Sequence, residues 1–246
     1  MRFIFTLLLL FGFLSAAQAK DFTDKYVPVT PQALVNFAAH YKALDLTNPS
    51  VFAEFLQVTD CSLYMSLQNS QFKQQETQQE MLQKMQTTPQ PDSEIYFKVP
   101  ILFKVSSYNF ETQSLMIQPS SQMRRVNIFP LTDMSMPVCG TASLEQMRNI
   151  PNRYNMKMNF PVSLYRIPLQ KTLAESIFTR LDKADNEGRI RFMYGNIYLQ
   201  IDAIQPKTER HNLDYTAQLF GQINAIDLYV DQDHRILIKR LDYSGQ

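Results

Sequence analysis

The residues of this chain best equipped for chemistry are its sulfurs. Met134-x-Met136-x-x-Cys139 is followed by Met156-x-Met158, in a chain with 12 methionines and only two cysteines, Cys61 and Cys139. Thioether and thiolate ligands select Cu(I), so Met134, Met136, Met156 and Met158 form a candidate copper set. Methionine also fills irregular gaps in loops that pack on a core. Pairing of the two cysteines would in addition remove the only thiolate near that set. An even pair in an oxidising compartment is most simply a disulfide, and closing so long a loop stabilises a fold by about 4 kcal/mol in the chain-entropy picture. The rival, a Cys139 nucleophile beside Gly140, lacks a partner with a recognisable signature around His40, His211 or His234. The expectation is therefore a Cys61–Cys139 disulfide.

Other chemistries leave weaker marks. There is no G-x-S-x-G elbow, H-E-x-x-H pair, P-loop or G-x-G-x-x-G turn, and six glycines are poor material for phosphate-cradling loops. Asp182 to Gly188 imitates a calcium loop but puts Ala184 at a ligand position and Met193 where the bidentate Glu belongs, so it reads as a helix end. Asp231, Asp233 and His234 could hold a metal, yet acidic residues in a hairpin turn are ordinary turn formers. A glycan platform is disfavoured by the absence of Trp, and the 17 Phe and 12 Tyr read mostly as core. No pair of carboxylates is singled out for hydrolysis, and no cofactor is expected. Gln68, Gln71, Gln75 and Gln78 lie in a polar stretch that fits either a solvated helix arm or a surface for a partner.

The compartment follows from the N-terminus. Arg2, the apolar run Phe3 to Leu14 and the small-residue end Ala17-Gln18-Ala19 have the layout of a secretory signal peptide, 1–19, with Lys20 as the first mature residue. The apolar run is shorter than the roughly 20 residues needed to span a bilayer. Loss of Arg2 leaves equal numbers of acidic and basic residues, which removes the usual argument for nucleic acid or an anionic membrane surface.

The elements that must position these residues divide into two regions. Residues 20–92 read as a helical segment and linker. Thr30-Pro31 and Asn48-Pro49 are helix starts, and a third helical stretch runs from about Asp60 to Gln86 before Pro89 and Pro91. Residues 93–246 read as a β-rich α+β domain. Ile95, Phe97, Val99, Ile101, Phe103 and Val105 alternate with polar residues as a strand, and Pro100 places that strand locally at an edge or bulge. Residues 130–159 show no period and read as an irregular loop. A helix is expected over about 170–184. Beyond it, Ile190, Phe192 and Tyr194 alternate on even numbers, whereas Ile197, Leu199 and Ile201 alternate on odd ones. That switch predicts a β-bulge at Gly195-Asn196. Further strands and a turn at 231–234 complete a mainly antiparallel sheet with one packed helix, an α+β class.

By elimination, the functional expectation is a periplasmic or secreted, non-enzymatic interaction or assembly subunit of a cell-envelope complex, with a protein partner. Cu(I) binding is the alternative and an envelope hydrolase the second.

Overall fold

The structure, a computed structural model, describes residues 24–87, 95–118, 128–131, 136–140, 142–158, 166–184, 191–206 and 215–243. The expected signal peptide, the linker at 88–92, Met134 and the helix end at 185–188 lie outside these residues.

Four helices open the chain because local caps are in place. Thr30 accepts from Ala33 N to start α1 (Pro31–His40), and Asn48 accepts from Ser50 N to start α2 (Pro49–Thr59), each with proline in the first turn. Asp60 caps α3 (Cys61–Leu67) through Leu63 N. The third predicted helical stretch is in fact two helices, since a turn at Gln68 and Asn69 separates α3 from α4 (Gln71–Thr87).

The sheet has nine strands among the described residues: β1 (Val27–Pro28), β2 (Ile95–Asn109), β3 (Ser114–Gln118), β4 (Ile128–Pro130), β5 (Arg153–Met158), β6 (Arg166–Pro168), β7 (Arg191–Pro206), β8 (Thr216–Tyr229) and β9 (Leu237–Asp242). The main order is β4-β5-β8-β7-β2-β3-β6, with β1 on β2 and β9 on β8. Only β1–β2 and β5–β8 are parallel among these pairs, so the sheet is mixed and mainly antiparallel. The fold is α+β, and α5 (Lys171–Ala184) packs on it through Ala174, Ile177 and Leu181. One cluster of buried side chains joins α1 and α2 to the sheet, with Phe37, Phe52, Phe97 and Leu199 among its members.

The period-2 reading of β2 holds, with Phe97, Phe103 and Val105 buried. Lys98 O accepts from Val29 N, so the backbone groups of even-numbered residues here point away from β7. Among the described residues, Pro100 therefore turns its missing donor into the gap between β1, which ends opposite Lys98, and β3, which ends opposite Lys104. It occupies a local edge.

Two expectations are corrected. Residues 130–159 are not irregular throughout: Tyr154, Met156 and Met158 point inward from β5, a parallel neighbour of β8. Nor is there a bulge at Gly195-Asn196. Gly195 pairs regularly with Ile101 and Leu228, and odd-numbered residues face the core throughout Met193 to Ile201. Gly195 is there for space: a Cβ would lie 2.8 Å from the Phe103 ring and from Asp227 O. The register shifts occur instead opposite Tyr198/Leu199, where Asn224 is the extra residue, and at Asp202. Phe192 and Tyr194 consequently stand on the outer face.

Candidate functional site

The helix that carries the glutamines has a polar face where a core helix would have an apolar one. Gln78 is buried, and its Nε2 donates to Leu46 O at 2.6 Å, which pins α4 against the loop between α1 and α2. Asp45 braces that loop by accepting from Thr47 N at 3.1 Å and Thr47 Oγ1 at 2.5 Å. Beside this seam runs a cleft of about 570 Å³, lined by Gln71, Gln74, Gln75 and Gln79 together with Pro49 and Leu82. A larger cavity of about 890 Å³ adjoins it and shares Thr47 and Leu82.

Of the four glutamines singled out in the sequence, the structure brings Gln71, Gln75 and Gln78 to the cleft and leaves Gln68 exposed in the preceding turn. Gln78 is a structural residue through its bond to Leu46 O. Gln74 and Gln79 were missed, although their spacing of three and four from neighbouring members would have found them. Phe72, at the start of the same helix, is 83% exposed, and Met65 on α3 is 55% exposed.

The sulfurs have a different fate. Cys61 and Cys139 form a disulfide, with Sγ–Sγ 2.08 Å and Cα–Cα 5.3 Å. Gly140 follows at φ +64°, a left-handed conformation that favours glycine, within the turn closed by Ala142 N donating to Cys139 O. Met156 and Met158 are buried in the core and Met136 is half-buried. Among the described residues no three His, Cys, Asp or Glu side chains gather as a metal site. In the 231–234 turn, Asp231 is taken up by Arg235 N and Ile236 N, a pairing that lowers its pKa, and Asp233 pairs with Arg235 at 3.3 Å.

A second tie on the disulfide loop was not foreseen. The Glu54 carboxylate on α2 accepts from three successive backbone N–H groups, those of Arg148, Asn149 and Ile150, at 2.7–3.1 Å. Asn149 Nδ2 adds a fourth donor at 2.7 Å. A run of backbone donors around one carboxylate is an anion nest, and no spacing in the sequence announces it.

The outer face of the sheet holds the other polar assembly. Strand register sets Leu102, Tyr194, Tyr229 and Leu237 in one row, and Pro100, Asn196, Asp227 and Arg240 in the next. Asp227 is 1% exposed and receives Arg240 Nε and Nη2 at 2.6 and 2.7 Å, along with the hydroxyls of Tyr198 and Tyr229. Burial, with Asp227 adding to it, raises the pKa of both tyrosines, while the carboxylate raises that of Arg240. These hydroxyls stay protonated and the guanidinium stays charged at any ordinary pH. Tyr26, from the lead-in segment, closes the assembly by stacking edge-on against Tyr198 at 4.9 Å and accepting from Asn224 Nδ2.

Residues 50–180, just over half of the chain, match the family described as Domain of unknown function (DUF4852), and the chain belongs to that family. The matched span contains the disulfide, the Glu54 nest and the glutamines that line the cleft, whereas Thr47 and Pro49 of the cleft precede it and Asp227 and Arg240 lie beyond it. No curated protein and no solved structure shows significant similarity to the chain.

Proposed function

We propose that this member of the family is an exported, non-enzymatic docking protein of the cell envelope, whose α4 cleft receives an extended segment of a partner protein. The observation that carries the reading is the row Gln71, Gln74, Gln75 and Gln79 facing a cleft. Each amide supplies a carbonyl acceptor and two N–H donors. A line of them offers an extended peptide backbone both kinds of hydrogen bond, without a charge that would select one sequence. An uncharged lining argues for a peptide main chain over a phosphate or a nucleic acid.

Export is supported by the disulfide, which persists in oxidising compartments, and by the layout of residues 1–19. Among the described residues no helix is long and apolar enough to cross a membrane.

The test is site-specific photo-cross-linking in intact cells, with the photoreactive residue at Gln75 and a control at Glu76, an exposed neighbour absent from the cleft lining. A discrete adduct from position 75 and none from position 76 is expected. Monomer alone from both positions would remove the basis of the reading. The export half is checked by sequencing the N-terminus of native protein, which should begin at Lys20.

A further inference from the structure

The larger cavity beside the cleft has a composition of its own. Its floor is apolar, made by Leu44, Leu46, Leu82 and Met85, of which Leu44 and Leu46 are buried. Its volume of about 890 Å³ falls within the range of roughly 300–1,000 Å³ typical of small-molecule sites. The rim carries the Lys42 ammonium and the His40 imidazole.

The end of α1 places both of them. Ala43 N donates to Ala38 O and Lys42 N to Ala39 O, a Schellman closure that requires a left-handed residue at Lys42, whose φ is +55°. This closure satisfies the carbonyls of Ala38 and Ala39 within the chain, which weakens the negative pole a helix end would present to an anion. His40 Nε2 is hidden from solvent and has no hydrogen-bond partner among the described residues. Lys42 Nζ has no ion-pair partner among them either. The acid of the lining, Asp45, is already directed onto Thr47. Among the described residues, the rim therefore holds an ammonium to which no carboxylate is bound, and an imidazole nitrogen without a partner, above an apolar floor.

From this juxtaposition we infer that the cavity binds a small amphiphilic carboxylate. The headgroup meets Lys42 at the rim, beside the His40 ring, and the hydrocarbon body lies against Leu44, Leu46, Leu82 and Met85. The inference does not rest on the partner reading, because it concerns a different end of the groove and a free small molecule.

The experiment uses the full mature chain and the fluorescent fatty-acid probe 11-(dansylamino)undecanoic acid, with displacement by decanoate, decanol and butyrate. Probe emission should rise on binding. Decanoate should displace the probe at least tenfold better than decanol, which lacks the charge, and than butyrate, which lacks the body. Lys42→Asn suits the left-handed backbone while removing the charge, so it should fold normally and weaken the probe about tenfold. Leu82→Gln is the second variant; it should weaken decanoate and leave the preference over decanol intact. Equal affinity of wild type and a folded Lys42→Asn, equal displacement by decanol and decanoate, or no emission change at millimolar probe would each overturn the assignment. Failure of cross-linking at position 75 with probe binding intact would sink the docking reading alone.

Discussion

The α4 cleft and the outer face of the sheet are both built of polar side chains at a partly covered surface, yet they end differently. On the sheet, Asp227, Arg240, Tyr198, Tyr229, Asn224 and Tyr26 turn inward on one another, and the buried carboxylate has a donor in each direction that matters. On α4, Gln78 finds a protein partner of this kind, while Gln71, Gln74, Gln75 and Gln79 line an open cleft. A polar group that is satisfied inside the fold is a structural device, since its burial requires the pairing. One that lines a cleft keeps its hydrogen bonds for something else. Chemical type alone does not separate the two regions; the presence of a partner does.

The comparison is sharpened by mutations that should damage the fold in one region and only binding in the other. The largest effect is expected at the staple that holds the helical region to the β-rich part. With a separation of 78 residues, the double change Cys61→Ser, Cys139→Ser should lower the free energy of unfolding by about 4 kcal/mol, read from denaturant titration. Next comes Arg240→Met, which leaves the buried Asp227 charge without its main partner and should cost about 3 kcal/mol; an undiminished denaturation midpoint would show that the outer-face assembly is not structural. Glu54→Ala strips three backbone donors of their acceptor and should cost about 2 kcal/mol, with faster proteolysis in the 136–150 loop. Gln78→Ala removes one bond to Leu46 O and should cost about 1 kcal/mol. Smallest of all, Gln71→Ala and Gln74→Ala should change stability by less than about 0.5 kcal/mol while abolishing the partner adduct formed from position 75. If those two proved as costly as Arg240→Met, the contrast between the regions would be lost.

Much of the architecture is legible in the sequence. Thr30, Asn48 and Asp60 announced helix starts because capping is settled within three residues, and β2 announced itself because alternation is settled within a strand. The α5 helix and the Cys61–Cys139 pair were legible for similar reasons: one from its stripe, the other from parity and an expected compartment. Misreadings clustered where a residue's role depends on a remote strand. The phase change around Gly195 looked like a bulge, but two apolar sets on opposite parities also arise when aromatic residues stand on the outer face, as Phe192 and Tyr194 do. Met156 and Met158 passed for loop sulfurs because their strand is short and pairs with a segment some sixty residues away.

By itself, then, the order of residues determined the α+β class, the helix boundaries near their caps, the core face of β2 and the candidacy of the glutamines. Tertiary structure alone decided which glutamine is a brace and which line a cleft, that Glu54 sits in a nest of backbone donors, and that Asp227 meets Arg240 across a strand pair. The division has one physical cause. Caps, turns and periodicity are short-range properties of the chain, whereas hydrogen-bond satisfaction and cavity walls depend on groups brought together only when distant segments pack.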